Sequence, residues 1–542
     1  MVAVPGGSGP AGGPSRRTGW VAAVVPLVFL GVFVVWPLVA VLSRSLAGVG
    51  LGEVVDIIAR PAVIDVLVFT VGQAVASTVL TLAVGLPIAQ VLARYRFAGR
   101  RVIRVVVVVP FVLPTVVVAS AFAALFDRLG LASQSLTAVL SAHVFFNVAV
   151  VVRIVGGFWA GTDRRLEDTA RVLGAGRWRT FRSITLPRLA PVLAASAVLV
   201  FLFSFTSFGV IQILGGPTRA TIETEIFRYA VRRIEFDVAA ALALVQLVAV
   251  LVLAVVSAGF QRRVSRAGHG RPRASGGPVA TWGQRLHLAA GLAIVVVVVI
   301  VPVAVLVEGS LATGDGYGLD HYRRLFETGD LLPVSAAEAL RNSIMFALLA
   351  AAVASIVGLL AAVAVTSGGW VGRWLEALSL VPLGVSAVTL GFGYLVAFTA
   401  FDLRRSTWLV PLSHAVIGLP FVLASVVPAL RSIDPRLRQA AATLGAGPGA
   451  VRARIDWPLI RGAALTGAGF AAAVSIGEFG ATSFLARGRD SFTAPLAVFR
   501  LVSQPGAALQ GQALALSVII GVLVAAIAAL IEWRRRDGVT LL

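Results

Sequence analysis

Long apolar runs recur along the whole chain and are separated by short polar or basic segments. Each run holds about 20 residues, the length that a helix needs to cross the roughly 30 Å hydrocarbon core of a bilayer. Because that core offers no water, each backbone amide must find its partner within its own segment, which favours helices. The pattern predicts twelve membrane-spanning helices, at residues 20–43, 65–93, 103–126, 136–160, 189–213, 238–260, 286–307, 338–366, 372–401, 408–430, 461–485 and 510–532.

The charged residues between these runs predict which side of the membrane each segment faces. With the N-terminus in the cytoplasm, nearly all of the net charge of +21 falls on cytoplasmic segments, and the outside segments are close to neutral. Cytoplasmic loops of membrane proteins carry such an excess of basic residues. The charge therefore predicts that both termini are cytoplasmic, and nucleic-acid binding is not needed to explain it.

The composition excludes several kinds of chemistry. Hydrophobic residues make up 58% of the chain and charged residues 13%, which is typical of a polytopic membrane protein. The chain has no cysteine and no lysine. Disulfides, thiolate metal sites and the phosphate-binding P-loop, which needs its lysine, are therefore excluded. We find no candidate catalytic residue and no metal-ligand set, and we expect this chain to bind no cofactor.

A loop of 25 residues occurs twice, at 163–187 and 434–458, and ten of its positions are identical in the two copies. The copies are 271 residues apart, half of the 542-residue chain, so the chain consists of two fused copies of one unit. Because six spans precede the division, the two repeats have the same orientation and are parallel.

The duplication predicts five regions along the chain. They are a disordered cytoplasmic tail at 1–19, a first six-helix repeat at 20–260, a basic Gly- and Pro-rich cytoplasmic linker at 261–285, a second six-helix repeat at 286–533 and a cytoplasmic tail at 534–542.

Each copy of the loop predicts a short amphipathic helix, a Gly-x-Gly break and a second short helix that ends at a proline. A compact helical knob of this kind fits a groove in another protein. Interfacial helices that lie on anionic lipid would also suit the arginines of the loop, and this alternative stays open. Two copies on the same side of the membrane favour a partner with two equivalent binding sites.

The loops resemble the EAA loop of permease subunits of type I ABC importers. The residues that carry the resemblance are Glu167, Ala170, Gly174, Ile184, Leu186 and Pro187 in the first copy, and Ala440, Ala441, Gly445, Ile455 and Pro458 in the second. The resemblance implies an all-α polytopic membrane protein with about 12 transmembrane helices, arranged as two tandem parallel six-helix MetI-like repeats.

The resemblance also implies partners for the chain. In that family the short coupling helix of each loop sits in a cleft of an ATPase subunit, so two ABC ATPase subunits would use ATP and Mg²⁺, and the permease would have no ATPase site of its own. An extracytoplasmic solute-binding protein would deliver the cargo to a chain embedded in the bacterial cytoplasmic membrane.

The sequence departs from the family pattern at Thr169, Arg438 and Trp457. We therefore expect the two ATPase contacts to be unequal, and we expect that a salt bridge made through Glu167 cannot be repeated at Arg438.

Fused permeases of about this length resemble the thiamine and ferric-iron importer branch. Residues 205–209, 214–217, 220–223 and 476–480 resemble thiamine permeases more than iron permeases. The sequence therefore favours thiamine or a related cationic solute, with ferric iron as the alternative. A proton-coupled secondary transporter or a membrane-embedded enzyme would need more ionisable groups than the spans contain.

Four residues are candidates for the substrate pathway: Ser207 and Phe208, and their counterparts Glu478 and Phe479. An ionisable group within a span is costly and indicates a functional site by default. A carboxylate that lines the pathway would suit a cationic cargo. The alternative is that Glu478 pairs with an arginine or caps a helix.

Other polar residues have structural interpretations. His143 and His414 are also 271 residues apart, and we expect each to satisfy a backbone carbonyl group rather than to bind metal. Arg153 is expected to extend to the cytoplasmic interface. The outside segments 214–237 and 486–509 mix arginine with acidic residues, and they are candidates for docking the binding protein, with ordinary solvated loops as the alternative.

Overall fold

The computed structural model describes residues 16–163, 165–267, 276–314, 316–399, 406–486 and 488–534. The predicted tails lie largely outside these residues, as does part of the linker. Ten of the described helices are long and apolar enough to cross a membrane. They are Gly19–Leu46, Pro61–Arg94, Leu136–Gly161, Trp178–Phe205, Phe236–Phe260, Trp282–Leu311, Ala336–Thr366, Leu409–Ser432, Pro448–Ile476 and Ala507–Ile531.

Two further predicted spans, 103–126 and 372–401, are bent pairs of helices. The helices Arg100–Val112 and Thr115–Arg128 meet at 103°, and Gly369–Pro382 and Ala387–Ala397 meet at 101°. When each pair is counted as one span, the number of spans is twelve. The predicted all-α polytopic fold is therefore confirmed, but these two spans are not straight.

Local chemistry explains both bends. Leu113 has an extended backbone (φ −66°, ψ 139°) because the residue before a proline, here Pro114, is pushed out of the helical region. At the second bend, the Ser386 hydroxyl accepts a hydrogen bond of 2.9 Å from the backbone N–H of Thr389. This N-cap satisfies a free donor and starts a new helix.

Shorter elements connect the spans. The short helices are Leu51–Ile58, Arg165–Val172, Gly209–Leu214, Ile222–Phe227, Asp320–Arg323, Pro435–Thr443, Thr482–Leu485 and Ala494–Val502. Two-residue strands pair in parallel (Tyr95–Arg96 with Gly277–Pro278) and antiparallel (Ala312–Thr313 with Gly316–Tyr317).

The predicted spans 189–213 and 461–485 end too late. The first continuous helix ends at Phe205 and is followed by the short helix Gly209–Leu214. The second ends at Ile476 and is followed by Thr482–Leu485. Hydropathy does not detect these breaks because the apolar run continues through them. We call residues 206–208 and 477–481 the first and second break.

Small residues allow the helices within each unit to pack closely. A Cβ added at Gly85 would lie 2.9 Å from the Val151 side chain, and one added at Gly418 would lie 2.8 Å from the Cβ of Ala471. Close approach at small residues is the usual basis of helix packing in membranes, where lipid tails are as apolar as the side chains.

The described chain forms two compact units that differ from the two sequence repeats. One unit contains residues up to Val41, Arg341–Ser491 and the chain from Ala526 onward. The other contains Leu42–Leu340 and Phe492–Ala525. The first helix of each repeat thus belongs to the unit that holds most of the other repeat. The predicted boundaries 20–260 and 286–533 describe the duplication and stay a prediction.

Specific contacts hold each first helix in its unit. The Tyr394 hydroxyl donates a hydrogen bond of 2.8 Å to the backbone carbonyl of Phe33. In the other unit, a Cβ added at Gly291 would lie 2.7 Å from the Val91 side chain. The absence of a side chain at that glycine therefore lets the helix Trp282–Leu311 pack directly on Pro61–Arg94.

We predict that Gly393→Ala destabilises the unit that contains the N-terminal helix. The new Cβ would lie 2.9 Å from the Cβ of Pro37 and 3.0 Å from its carbonyl oxygen, and overpacking of this kind costs about 1–3 kcal/mol. Thermal unfolding of the purified chain in detergent measures the effect. Gly72→Ala is the matched control, since that helical glycine has open space around it. An equal response of the two variants would contradict the prediction.

Candidate functional site

The first coupling helix, Arg165–Val172, ends in a Schellman motif. Gly174 has a φ of +84°. Its N–H donates to the carbonyl of Arg171 at 3.0 Å, and the N–H of Ala175 donates to the carbonyl of Ala170 at 2.9 Å. These are the two bonds that define the motif. The motif requires a glycine at position 174 because the left-handed conformation is costly for other residues.

The second coupling helix, Pro435–Thr443, ends in the same way. Gly445 has a φ of +81°. Its N–H donates to the carbonyl of Ala442 at 3.0 Å, and the N–H of Ala446 donates to that of Ala441 at 2.9 Å. The helix and the glycine break predicted for both loops are therefore present. The prediction that the second short helix ends at the proline is wrong, because the chain stays helical through Pro187 and Pro458 and forms the continuous helices Trp178–Phe205 and Pro448–Ile476.

Each Schellman motif exposes apolar side chains. Leu173 is 81% exposed and its counterpart Leu444 is 87% exposed. In the first loop Val172 and Trp178 are exposed as well. We call Val172, Leu173 and Trp178 the first apolar tip, and Leu444 the second. Exposed apolar groups that cluster on a polar loop are typical of a contact surface.

A buried ion pair fastens the first coupling helix to its unit. Glu167 is only 7% exposed and forms a salt bridge with Arg94 at the end of the helix Pro61–Arg94. The same carboxylate accepts a hydrogen bond of 2.9 Å from the Thr185 hydroxyl. The Arg94 guanidinium also lies over the Trp159 ring, 5.8 Å from its centroid. Glu167 therefore points into the unit and not toward solvent.

The second copy repeats this contact with different chemistry. Arg438 and Asp456 occupy the positions equivalent to Glu167 and Thr185, and they form a salt bridge of 2.8 Å. The position equivalent to Arg94 holds Val365. The salt bridge between Arg94 and Glu167 is therefore not repeated in the second copy, in agreement with the expectation for Arg438. A different ion pair takes its place, because the charge is reversed and the partner of Arg438 lies within the same loop.

The other predicted coupling residues are placed alike in the two copies. Ile184 and Ile455 are partly buried, each within a π-helical segment (Phe181–Thr185 and Arg452–Asp456). Pro187 and Pro458 are exposed in the first turn of the following α-helix.

The four candidate pathway residues lie in the two breaks and are buried: Ser207, Phe208, Glu478 and Phe479. Glu478 caps the short segment that follows its own break. Its carboxylate accepts hydrogen bonds from the backbone N–H groups of Ala481 (2.8 Å) and Thr482 (3.0 Å). The structure thus contains the helix cap, which the sequence analysis considered as one alternative, and a role in the pathway stays a prediction.

The two histidines contact side chains and not the predicted backbone carbonyls. His143 bonds to the hydroxyls of Ser77 and Ser207, and His414 bonds to those of Ser475 and Thr482. In the part of the chain that the structure describes, no cluster of three metal-ligating side chains is present.

Part of the outside segment 214–237 is not available for docking. Glu223 and Glu225 are almost fully buried. Gln246 donates a hydrogen bond of 2.8 Å to Glu223, and Arg228 pairs with Glu225 at 2.5 Å. Burial raises the pKa of Glu225, and the charge of Arg228 opposes this shift. Among the candidates in the other segment, Arg489, Asp490 and Arg500 are exposed, and Arg487 lies outside the described residues.

Sequence reasoning missed the residues around the first coupling helix. A cavity of about 640 Å³ beside this helix is lined by Tyr95, Trp159 and His287, among others. Arg94 also borders it. In the sequence, Arg94 resembles an ordinary basic flank of a span, and only the fold brings it to Glu167.

We predict that Gly174→Ala and Gly445→Ala each loosen the end of their coupling helix. The left-handed conformation costs roughly 1–2 kcal/mol for a residue with a Cβ, although open space surrounds both glycines. Hydrogen exchange of the amides at Ala175 and Ala446 should therefore become faster. The controls are Gly176→Ala and Gly447→Ala, which have open space and no left-handed φ. Equal exchange in variants and controls would rule out this explanation.

We predict that Glu167→Ala destabilises the chain more than Asp456→Ala does. Removal of one partner from a buried ion pair costs roughly 3–5 kcal/mol, and the side chains of Glu167 and Arg94 are both 9% exposed. The side chains of the Arg438–Asp456 pair are more exposed, at 15% and 14%, so its loss should cost less. Thermal unfolding in detergent measures both. If the double variant Arg94→Met/Glu167→Leu regains the stability that Glu167→Ala loses, the unpaired charge of Arg94 is the cause of that loss.

Comparison with known proteins agrees with the two-repeat organisation. The family described as "Binding-protein-dependent transport system inner membrane component" matches residues 82–267 and 336–536, more than half of the chain. The chain is 25% identical over 505 residues to the probable ABC transporter permease protein y4fN of Sinorhizobium fredii, which covers 86% of this chain and 88% of that protein.

Two further relatives carry substrate names. The thiamine transport system permease protein ThiP of Brucella abortus is 28% identical over 478 residues, covering 84% of each chain. The sulfate transport system permease protein CysT of Escherichia coli is 30% identical over 253 residues, covering 44% of this chain and 91% of that protein. The chain belongs to the inner membrane components of binding-protein-dependent transport systems, and it is a fused ABC importer permease with two repeats of the family domain.

Proposed function

We propose that this permease forms the translocation pathway for thiamine or a related cationic solute. Two separate ABC ATPase subunits hydrolyse ATP with Mg²⁺, and an extracytoplasmic binding protein delivers the solute. The chain spans the bacterial cytoplasmic membrane with both termini in the cytoplasm, the orientation that its positive-inside charge favours.

The observation that carries this proposal is the pair of exposed leucines at equivalent positions of the two apolar tips. Leu173 and Leu444 are each more than 80% exposed at the end of a helix that closes with the same Schellman motif. A short helix with an exposed apolar end fits a groove of a partner protein. Two such ends at equivalent positions favour two copies of one partner, as a pair of ATPase subunits would supply.

Each coupling helix has a connection to the fifth span of its repeat. Position 167 or 438 contacts position 185 or 456, which lies in the first turns of that span. In the first repeat Arg94 connects the same coupling helix to the helix Pro61–Arg94 as well. Movement of an ATPase subunit therefore reaches the membrane helices through polar contacts that are largely shielded from solvent.

Of the two reported relatives that carry a substrate name, the thiamine permease is the one that spans both repeats. ThiP is similar over 84% of this chain, whereas the sulfate permease is similar over 44%. Glu478 adds little to the argument for a cationic cargo, because its carboxylate is buried and already accepts several hydrogen bonds. Ferric iron is the alternative cargo within the same architecture.

We predict that Leu173→Asp and Leu444→Asp weaken binding of the ATPase without unfolding the permease. Substitutions at exposed positions usually change stability by less than about 0.5 kcal/mol, whereas a charge in an apolar contact is costly. Co-purification with the ATPase measures the binding. The control is Leu131→Asp, since Leu131 is 53% exposed and lies on the predicted outer side. Normal ATPase binding combined with loss of lipid association would favour the lipid-bound alternative for the loops.

We predict ATP-dependent uptake of labelled thiamine by proteoliposomes that contain this chain, its ATPase and its binding protein. Sulfate and ferric iron are tested in parallel. Uptake of thiamine alone would support the proposal, and uptake of either other solute would replace the substrate while keeping the class. Uptake that follows a proton gradient without the ATPase would contradict the proposal as a whole.

A further inference from the structure

The fifth span of each repeat is interrupted at the same position. The continuous helices end at Phe205 and Ile476, which are 271 residues apart, and a short helix follows each break. An interrupted helix within apolar surroundings frees backbone groups that need new partners. It also removes the rigid connection between the helix before the break and the helix after it.

In the first repeat, side chains of neighbouring helices bond to the break itself and to the residue Ser204 that precedes it. The Nε2 atom of His143 lies 2.9 Å from the hydroxyl of Ser207, within the break. Before the break, Asn147 donates to the Ser204 hydroxyl (3.3 Å), and Gln73 donates to the Ser204 carbonyl (2.8 Å). The histidine and the asparagine both belong to the fourth span, Leu136–Gly161.

The other ring nitrogen of His143 is also bonded. Its Nδ1 atom lies 2.9 Å from the hydroxyl of Ser77, on the helix Pro61–Arg94. Because a hydroxyl can donate or accept, either neutral tautomer of the imidazole satisfies both contacts. The ring, only 2% exposed, therefore connects the break to two neighbouring helices of the unit.

In the second repeat one histidine bonds to both sides. The Nδ1 atom of His414 lies 2.7 Å from the hydroxyl of Ser475, the position equivalent to Ser204. Its Nε2 atom lies 2.8 Å from the hydroxyl of Thr482 and 3.2 Å from the carboxylate of Glu478. The Thr482 hydroxyl in turn donates to Glu478.

A neutral imidazole can satisfy this second network. With the proton on Nε2, the imidazole donates toward Thr482 and Glu478, and its Nδ1 accepts from Ser475. The Glu478 carboxylate accepts the backbone N–H groups that begin the short helix. The histidine, the carboxylate and the short helix are thus joined by direct hydrogen bonds.

We infer that His143 and His414 are positioning residues that hold the fifth span across its break. His414 bonds to both the long and the short helix, and His143 holds the first break against the helix Pro61–Arg94, so that movement entering at the coupling loop passes the break. This role rests on the proposed function, whereas the attachment itself does not. The imidazole occupies the same position in both repeats although its partners differ, since the position equivalent to Ser77 holds Leu348.

Substitution of each histidine by asparagine or by glutamine tests its two hydrogen bonds one at a time. The amide of asparagine reaches about as far as Nδ1, and that of glutamine reaches about as far as Nε2. His143→Asn and His414→Asn therefore lose the bond to the break or to the helix after it. His143→Gln and His414→Gln keep that bond and lose the other. A role in packing alone would not distinguish the two amides in this way.

Because the chain has no native cysteine, a single introduced cysteine can report on the opening of one helix by its labelling rate. Gln212→Cys and Ser483→Cys each place one thiol in the short helix after a break, at positions that are partly buried. Maleimide labelling of the full chain in proteoliposomes then reports how often that helix opens. We expect the asparagine variants to label roughly fivefold to tenfold faster, the factor that one net hydrogen bond contributes to an opening equilibrium. The glutamine variants should stay close to the parent rate.

Equal labelling of the asparagine and glutamine variants would overturn the inference. Ser207→Ala and Thr482→Val provide a second test if a histidine variant does not fold, because they remove the histidine's bond from the other side and should also speed labelling. Thr482→Val additionally removes the bond from Thr482 to Glu478. Thermal unfolding is recorded for each variant to exclude global loosening. If labelling follows the expectation but uptake does not require ATP, the attachment stands and the proposed function fails.

Discussion

The constraint on which this structure depends is that the apolar interior of a membrane protein supplies no hydrogen-bond partners. Each backbone N–H and C=O group that the chain places there must be satisfied by another part of the chain. Most of the chain meets this demand as continuous helix. Where helices are interrupted, side chains supply hydrogen-bond partners. Ser386 caps a new helix at a bend, and Glu478 caps the segment after a break. Two histidines bond to hydroxyls on neighbouring helices.

The two coupling loops make the same contact at equivalent positions, but the side chains that form it differ. Glu167 with Thr185 in one repeat corresponds to Arg438 with Asp456 in the other. The first pair needs an external cation, Arg94, because a buried carboxylate without a counter-charge is costly. The second pair is neutral by itself and needs no partner at the position that Val365 occupies. The two coupling loops are therefore equivalent in shape and unequal in how firmly they are fastened.

These contacts form a continuous route within each repeat. The coupling helix bonds to the first turns of the fifth span. A histidine of the fourth span bonds to the break in the first repeat and to the residues on both sides of the break in the second. Under the proposed function, displacement of a coupling helix would be transmitted through the continuous helix of the fifth span to the short segment that follows the break. The route uses local, directional bonds, which is why single side-chain substitutions can test each step.

The sequence by itself determined the class of the protein, the number of spans, the duplication and the coupling loops. These features follow from hydropathy, which depends on composition over about 20 residues, and from local motifs such as the left-handed glycines Gly174 and Gly445. The tertiary structure decided which distant residues meet. Helix packing brings Arg94 to Glu167 and His414 to Glu478. It also places the first helix of each repeat in the unit that holds most of the other repeat. No local pattern encodes them, because helices in lipid pack through shape and through a few polar contacts far apart in the chain.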